Sequence, residues 1–347
     1  MSCEKIVVME EVLEKKYRKN YLVSLVGILI SALLIVFAIK KVDLSITWIY
    51  IKKADYYYFL LAVVVYVIGF IPRGLRWKLM LKPIKIIPMS VITSSILIGY
   101  MANNILPARL GELIRAYTLG KYENISKTMA IASIGIERIF DGLVIVGILI
   151  VTILYHPFDG EQSLIINKVR YVSLIIFLSA LIFILIGRLF CNYLKRGFQK
   201  NNLLTSSNLK RCLMNNIINI IESLKFIRFD TYLLIIILLS VIVWIFDGLT
   251  FYIMLKAMGL YWDPVMAFFC MAFVNLGLIV PSAPGYFGVY HGLVIISLSF
   301  FGITTEQALA YGSIVHIGQY FSIMFIGIIA LNFLKRKLIV TISLKAN

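Results

Sequence analysis

Thr128 to Tyr155 reads TMAIASIGIERIFDGLVIVGILIVTILY, an apolar run whose charged residues, Glu137, Arg138 and Asp141, fall within five consecutive positions. A helix of about 20 apolar residues spans the ~30 Å of hydrocarbon in a bilayer, and this run is longer than that. At ~1.5 Å of rise per residue, Glu137 lies roughly 14 Å along a helix starting near Thr128, close to the bilayer centre. An ionisable group there costs at least ~2.5 kcal/mol on insertion scales. Three of them must be paired or solvated inside a bundle, with Glu137 and Asp141 sharing a face at i, i+4 spacing and Arg138 near both. The run therefore announces a membrane protein with a polar centre, which is either a functional site or a structural knot of ion pairs.

Working outward, the 347 residues are 61% hydrophobic and 15% charged, against about a quarter charged in soluble domains. A water-soluble enzyme is excluded, and no separate globular domain is expected. Six stretches read as spans, at about 21 to 39, 56 to 71, 128 to 155, 170 to 189, 231 to 257 and 306 to 333. The second is short, so Tyr56, Tyr57 and Tyr58 are expected at one membrane interface and Trp77 at the other. Two further apolar regions, 88 to 119 and 264 to 301, are broken by Asn103 to Pro107 and by Pro281 to Gly285. The expectation is an all-α polytopic membrane protein with six spans and two Pro-broken helical hairpins.

Orientation follows from the basic residues, because cytoplasmic loops collect Lys and Arg. The net charge is +17, which reads as topology before it reads as nucleic-acid binding. Arg73, Arg76, Lys78, Lys82 and Lys85 stand without an acid in 72 to 85, and 188 to 230 holds eight basic residues against Glu222 and Asp230. With both segments inside, 88 to 119 must enter and leave on the cytoplasmic side as a re-entrant hairpin. For 264 to 301, a re-entrant hairpin from outside and a pair of crossings both fit. Each half runs span, span, broken hairpin, span in opposite directions, with Pro107 and Pro281 174 residues apart. That is the pattern of an inverted-topology repeat. The expected layout is a cytoplasmic tail at 1–20, a transmembrane domain at 21–334 with halves 21–155 and 170–334, and a cytoplasmic tail at 335–347. An amphipathic helix at about 209–226 is expected on the cytoplasmic leaflet. Both termini face the cytoplasm of a cell membrane in this layout. The recurrence of Ile139 to Leu143 as Ile245 to Leu249 is out of register with the repeat and reads as compositional.

A Pro-broken helix at depth frees backbone groups that protein or a cavity must satisfy. Around the first break stand Asn103, Asn104, Arg109, Glu112 and Arg115, the last three on about a third of a helix circumference. Interfacial arginines with a surface glutamate are the plainer reading. At the second break, Pro281, Pro284, Gly285 and Gly288 prevent a continuous helix, with Tyr286 and His291 beside them. Asp247 reads as a hydrogen-bonded structural acid near the outer interface. Cys3, Cys191, Cys212 and Cys270 lack metal-ligand spacing, so reduced thiols and neither metal nor cofactor are expected.

At these residues the chain resembles the transmembrane, flippase-like domain of the lysylphosphatidylglycerol synthase family. The resemblance covers nearly the whole chain and rests on Arg76-Trp77, Asn103 to Pro107, Arg109, Gly111, Glu112, Arg115, Glu137-Arg138 with Asp141, Pro281, Pro284-Gly285 and Gly288. It implies movement of a phospholipid or lipid-linked headgroup between leaflets. The soluble aminoacyl-transferase domain of fused members is absent, so no enzyme activity is expected. Gly and Glu are expected where Tyr286 and His291 stand. Arg109, Arg115 and Arg138 would hold phosphate while Glu112, Glu137 and Asp141 balance them, an arrangement suited to a zwitterion. The alternative is a non-transporting membrane partner of a glycosyltransferase or lipid-modifying enzyme.

Overall fold

The computed structural model describes residues 42–106, 110–156, 231–279 and 283–346, with parts of 164–182. Among these residues are ten α-helices and no strand. They are α1 (Leu44–Lys52), α2 (Tyr56–Ile68), α3 (Phe70–Leu81), α4 (Met89–Ile105), α5 (Gly111–Glu123), α6 (Lys127–Tyr155), α7 (Thr231–Ala257), α8 (Pro264–Gly277), α9 (Val289–Ser299) and α10 (Thr305–Ala346). Four helical segments are long and apolar enough to cross a membrane: Tyr56–Leu81, Lys127–Tyr155, Thr231–Ala257 and Thr305–Lys337. The protein is a helical, multi-pass membrane protein. The expected span at 21 to 39 and the amphipathic helix at about 209–226 lie outside the described residues, and the span at 170 to 189 is described only in part.

The span expected to stop at residue 71 continues through α3 to Leu81. Proline breaks a helix interior because it lacks an N–H and its ring meets the preceding turn, but neither matters in a first turn. Pro72 stands in the first turn of α3, directly after the bend at Gly69. The added helix carries Arg73 and Arg76 into the bundle, where they are 4% and 1% exposed. They are not loop charges. Trp77, expected at the membrane interface, is fully buried and donates through Nε1 to Ser133 Oγ at 3.0 Å.

Helix contacts recur between the two halves of the chain. The α4 and α5 hairpin is matched by α8 and α9, and α5 packs on α6 as α9 packs on α10. The hairpin arm α4 lies on α10 of the other half, as α8 lies on α6. At the centre α7 packs along α2 and α3. Asp43 caps α1 by accepting from Ser45 N at 2.8 Å, and α1 packs on α10 while its Leu44, Ile46, Trp48 and Ile49 are exposed.

Candidate functional site

The first hairpin closes through two glycines and an asparagine. A Cβ on Gly111 would stand 1.9 Å from Gly99 O, so α4 and α5 approach more closely than any side chain permits. Asn103 Oδ1 accepts from Gly111 N at 2.8 Å, which satisfies a backbone donor at the N-terminus of α5. Asn104 Nδ2 donates to Tyr320 O of α10 at 3.4 Å and ties this break to the other half. Pro107 and Arg109 lie outside the described residues.

Behind the hairpin stands a buried charge network. Arg76 Nη2 donates to Glu137 Oε1 at 2.8 Å, and its Nη1 to Asp141 Oδ1 at 2.6 Å and Ser240 Oγ at 3.0 Å. Arg115 grips Glu137 with both Nη atoms, at 3.2 and 2.7 Å, and its guanidinium lies 3.7 Å from the Trp77 ring centre. A forked, planar cation suits both contacts. Trp244 Nε1 donates to Asp141 Oδ1 at 3.1 Å. Arg138 turns the other way, with Nε 3.0 Å from Glu112 Oε1 and Nη1 3.6 Å from Asp141 Oδ2. The side chains of Arg115 and Glu137 are 2% exposed, whereas Arg138 and Glu112 are 33% and 30% exposed. The charges therefore divide into a sealed core and an open pair, with Arg115 of α5 in the first and Glu112 in the second. Both Arg115 Nη atoms are taken up by Glu137, while its Nε is buried without a hydrogen-bond partner.

A second buried pair sits beside the first. Arg73 Nη2 meets Asp247 Oδ2, and Arg73 Nη1 donates to Gly69 O at 3.2 Å. Asp247 is thus a buried acid held against α3. Arg73 and Asp247 are 174 residues apart, the same separation as the two proline breaks.

The second break makes a left-handed turn. Gly285, Tyr286 and Gly288 have φ of 67°, 60° and 83°. Pro284 opens a short 3₁₀ turn ending at Tyr286. His316 stacks on Tyr290 at 4.6 Å between ring centres and lies 5.2 Å from the His291 ring. Pro281 lies outside the described residues.

Between the breaks lies a cavity of about 140 Å³. Its charged lining is Arg73, Arg138, Glu112 and Asp247, and its amides are Asn103, Asn104, Asn275 and Gln319. The aromatic wall is Tyr66, Tyr100, Trp244, Phe251, Tyr286, Tyr290 and Tyr320, with His316 beside it. Of the residues singled out from sequence, Asn103, Asn104, Glu112, Arg138 and Tyr286 line it, and Arg115, Glu137 and Asp141 stand behind its wall. Gly285 and Gly288 shape the turn. His291 does not line the cavity: Tyr290, one position earlier on α9, faces it, and His291 packs on the Phe287 and Tyr290 rings instead. Arg73, Asp247, Asn275, His316 and Gln319 were not anticipated. The repeat separation of 174, applied to acids and arginines as well as prolines, pairs the first two. Among the described residues no group of three or more His, Cys, Asp or Glu could hold a metal.

Comparison with known proteins places this geometry among relatives. Residues 24–327 match the family described as "Lysylphosphatidylglycerol synthase TM region". A UPF0104 membrane protein of Methanocaldococcus jannaschii is 28% identical over 68% of this chain and 95% of its own length. One of Methanothermobacter thermautotrophicus is 24% identical over 81% of this chain and 86% of its own. The Glycosyltransferase AglD of Haloferax volcanii is 30% identical over 35% of this chain but only 20% of its own length. No solved structure matches the chain.

Proposed function

The chain belongs to the lysylphosphatidylglycerol synthase TM-region family, and from that premise we propose that it is a flippase moving a phospholipid or lipid-linked headgroup across a cell membrane. The observation that carries this reading is the cavity, a polar and charged chamber between two helix breaks. Ionisable groups held at membrane depth mark substrate pathways when they face a chamber. Acyl chains can remain in lipid while the headgroup passes between the breaks.

The proposed topology has six spans, two re-entrant hairpins and an inverted repeat, with both termini cytoplasmic. Helix lengths support it: α4, α5, α8 and α9 have 17, 13, 14 and 11 residues, each below the roughly 20 needed to span. On one face, Lys85 Nζ contacts Glu123 Oε2 at 3.0 Å, and Lys337 Nζ lies 3.8 Å from Glu123 Oε1. The first hairpin thus leaves where it entered. On the opposite face, Asp55 N donates to Ala257 O at 2.7 Å, and the His156 and Phe301 rings are 4.6 Å apart. The second hairpin begins and ends there.

The test is purified protein in phosphatidylglycerol and phosphatidylcholine vesicles carrying tail-labelled phosphatidylglycerol. Movement of label between leaflets, absent from protein-free vesicles, is expected; its absence with folded protein overturns the flippase reading. The similarity to Glycosyltransferase AglD favours a second reading, a non-transporting membrane partner of a glycosyltransferase. Absence of flux together with a co-purifying glycosyltransferase would select it.

A further inference from the structure

Three residues of the cavity lining keep a buried polar atom without a hydrogen bond, and for one of them, Arg138, that Nε lies 3.0 Å from Glu112 Oε1 in an ion pair. Asp247 Oδ1 and the Tyr290 hydroxyl are buried and make no hydrogen bond, although both residues line the cavity. A buried polar atom left unpaired keeps its desolvation penalty, so each is a position where a bound group gains more than it would at the surface. The two residues are electrostatic neighbours.

The charges of the wall are already matched. Arg73 is held by Asp247, and Arg138 by Glu112 and Asp141. A cationic headgroup would enter a chamber whose one underused carboxylate is already neutralised, and would remain as an unbalanced buried charge. An anion meets the same obstacle at the arginines. A hydroxyl carries no net charge and donates one hydrogen bond while accepting others. Asp247 Oδ1 accepts, the Tyr290 hydroxyl does either, and the amides of Asn275 and Gln319 add both kinds of group at the same wall. Aromatic faces complete a site that encloses a compact, partly apolar ring or short carbon chain.

We propose that Asp247 and Tyr290 form a subsite for an uncharged, hydroxyl-bearing terminal group, either the glycerol of a phospholipid or a sugar. The subsite names the cargo class of the flippase reading and rests on it.

The test reads binding, so that it is separable from transport. Purified full chain in detergent is titrated with dioleoyl phosphatidylglycerol, monoglucosyl dioleoylglycerol and dioleoyl phosphatidylethanolamine, with bound lipid counted by native mass spectrometry. At least one hydroxyl-bearing lipid should bind about tenfold more tightly than the ethanolamine lipid, and which one does so distinguishes glycerol from sugar. Tyr290→Phe removes a hydroxyl with no protein partner and should weaken the preferred lipid by about twofold to tenfold, the loss of one hydrogen bond, while leaving the ethanolamine lipid unchanged. Equal or tighter binding of phosphatidylethanolamine by the native protein overturns the proposal, as does a Tyr290→Phe variant with unaltered preference. Should the preference hold while no lipid moves in vesicles, the flippase reading falls and the subsite stands.

Discussion

Tyr286 is held with φ of 60°, a left-handed backbone that bulky side chains rarely adopt. Such a residue carries roughly 1–2 kcal/mol of local strain, and strain of this kind gathers at ligand sites. The ring lines the cavity, and the resemblance leads one to expect glycine at this position, which takes the same φ without strain. Tyr286→Gly relieves that strain but removes a ring packed on the core, so the unfolding temperature should fall by less than the loss of a packed aromatic ring alone would cause, and lipid binding or flux should be reduced. A variant that loses the full worth of the ring and remains fully active would remove the link between strain and site. The charged residues divide in a comparable way. Glu137→Gln leaves Arg76 and Arg115 without their shared partner and should cost about 3–5 kcal/mol, read as lost folded yield. Glu112→Gln breaks a pair about one-third exposed and should cost no more than about 1 kcal/mol while impairing lipid movement. Similar losses of yield from both variants would contradict the division into a sealed core and an open pair. The sequence alone revealed that Glu137, Arg138 and Asp141 needed partners. It could not reveal that Arg76 supplies one, because Pro72 masked the helix that carries Arg76 inward.

Arg73, Arg76 and Trp77 occupy one face of α3 at i, i+3 and i+4, and together they engage three helices. Arg73 holds Asp247 of α7, Arg76 holds Glu137 and Asp141 of α6, and Trp77 stacks under Arg115 of α5. A helix read as a basic loop is thus the pivot of the buried charge. The misreading came from counting positive residues without asking which could be helical. The two Ile-Phe-Asp-Gly-Leu stretches, which looked compositional, place one aspartate each on neighbouring arginines of α3. Of the buried ion pairs among the described residues, only Arg73 with Asp247 joins the two halves. Asp247→Asn should destabilise by up to about 3–5 kcal/mol through the arginine left behind. Exchanging the two, with Arg73→Asp and Asp247→Arg, should recover most of that loss. Thermal unfolding of the single and double variants measures the coupling, and additive losses would mean that the pair does not join α3 to α7.

The proposed return of each hairpin to its own side would set the topology of the whole chain. Lys82 follows α3 and Asn124 follows α5; both are exposed. The contact between Lys85 and Glu123 brings these two helix ends to the same face of the bundle. If both arms of the first hairpin stop near midplane, an odd number of crossings cannot lie between Lys82 and Asn124. Single cysteines at these two positions, in a background lacking Cys3, Cys191, Cys212 and Cys270, should then react with a membrane-impermeant thiol reagent from the same side. A third cysteine variant at Tyr261, which is 80% exposed beyond the end of α7, should react only from the opposite side. With the first side cytoplasmic, as the basic segments lead one to expect, intact cells should label Tyr261→Cys alone, and opened cells all three. Labelling of Asn124→Cys in intact cells would require a crossing inside 88 to 119. That crossing would place Glu123 across the membrane from Lys85, in conflict with their contact, and would remove the shared midplane on which both the cavity and the repeat depend.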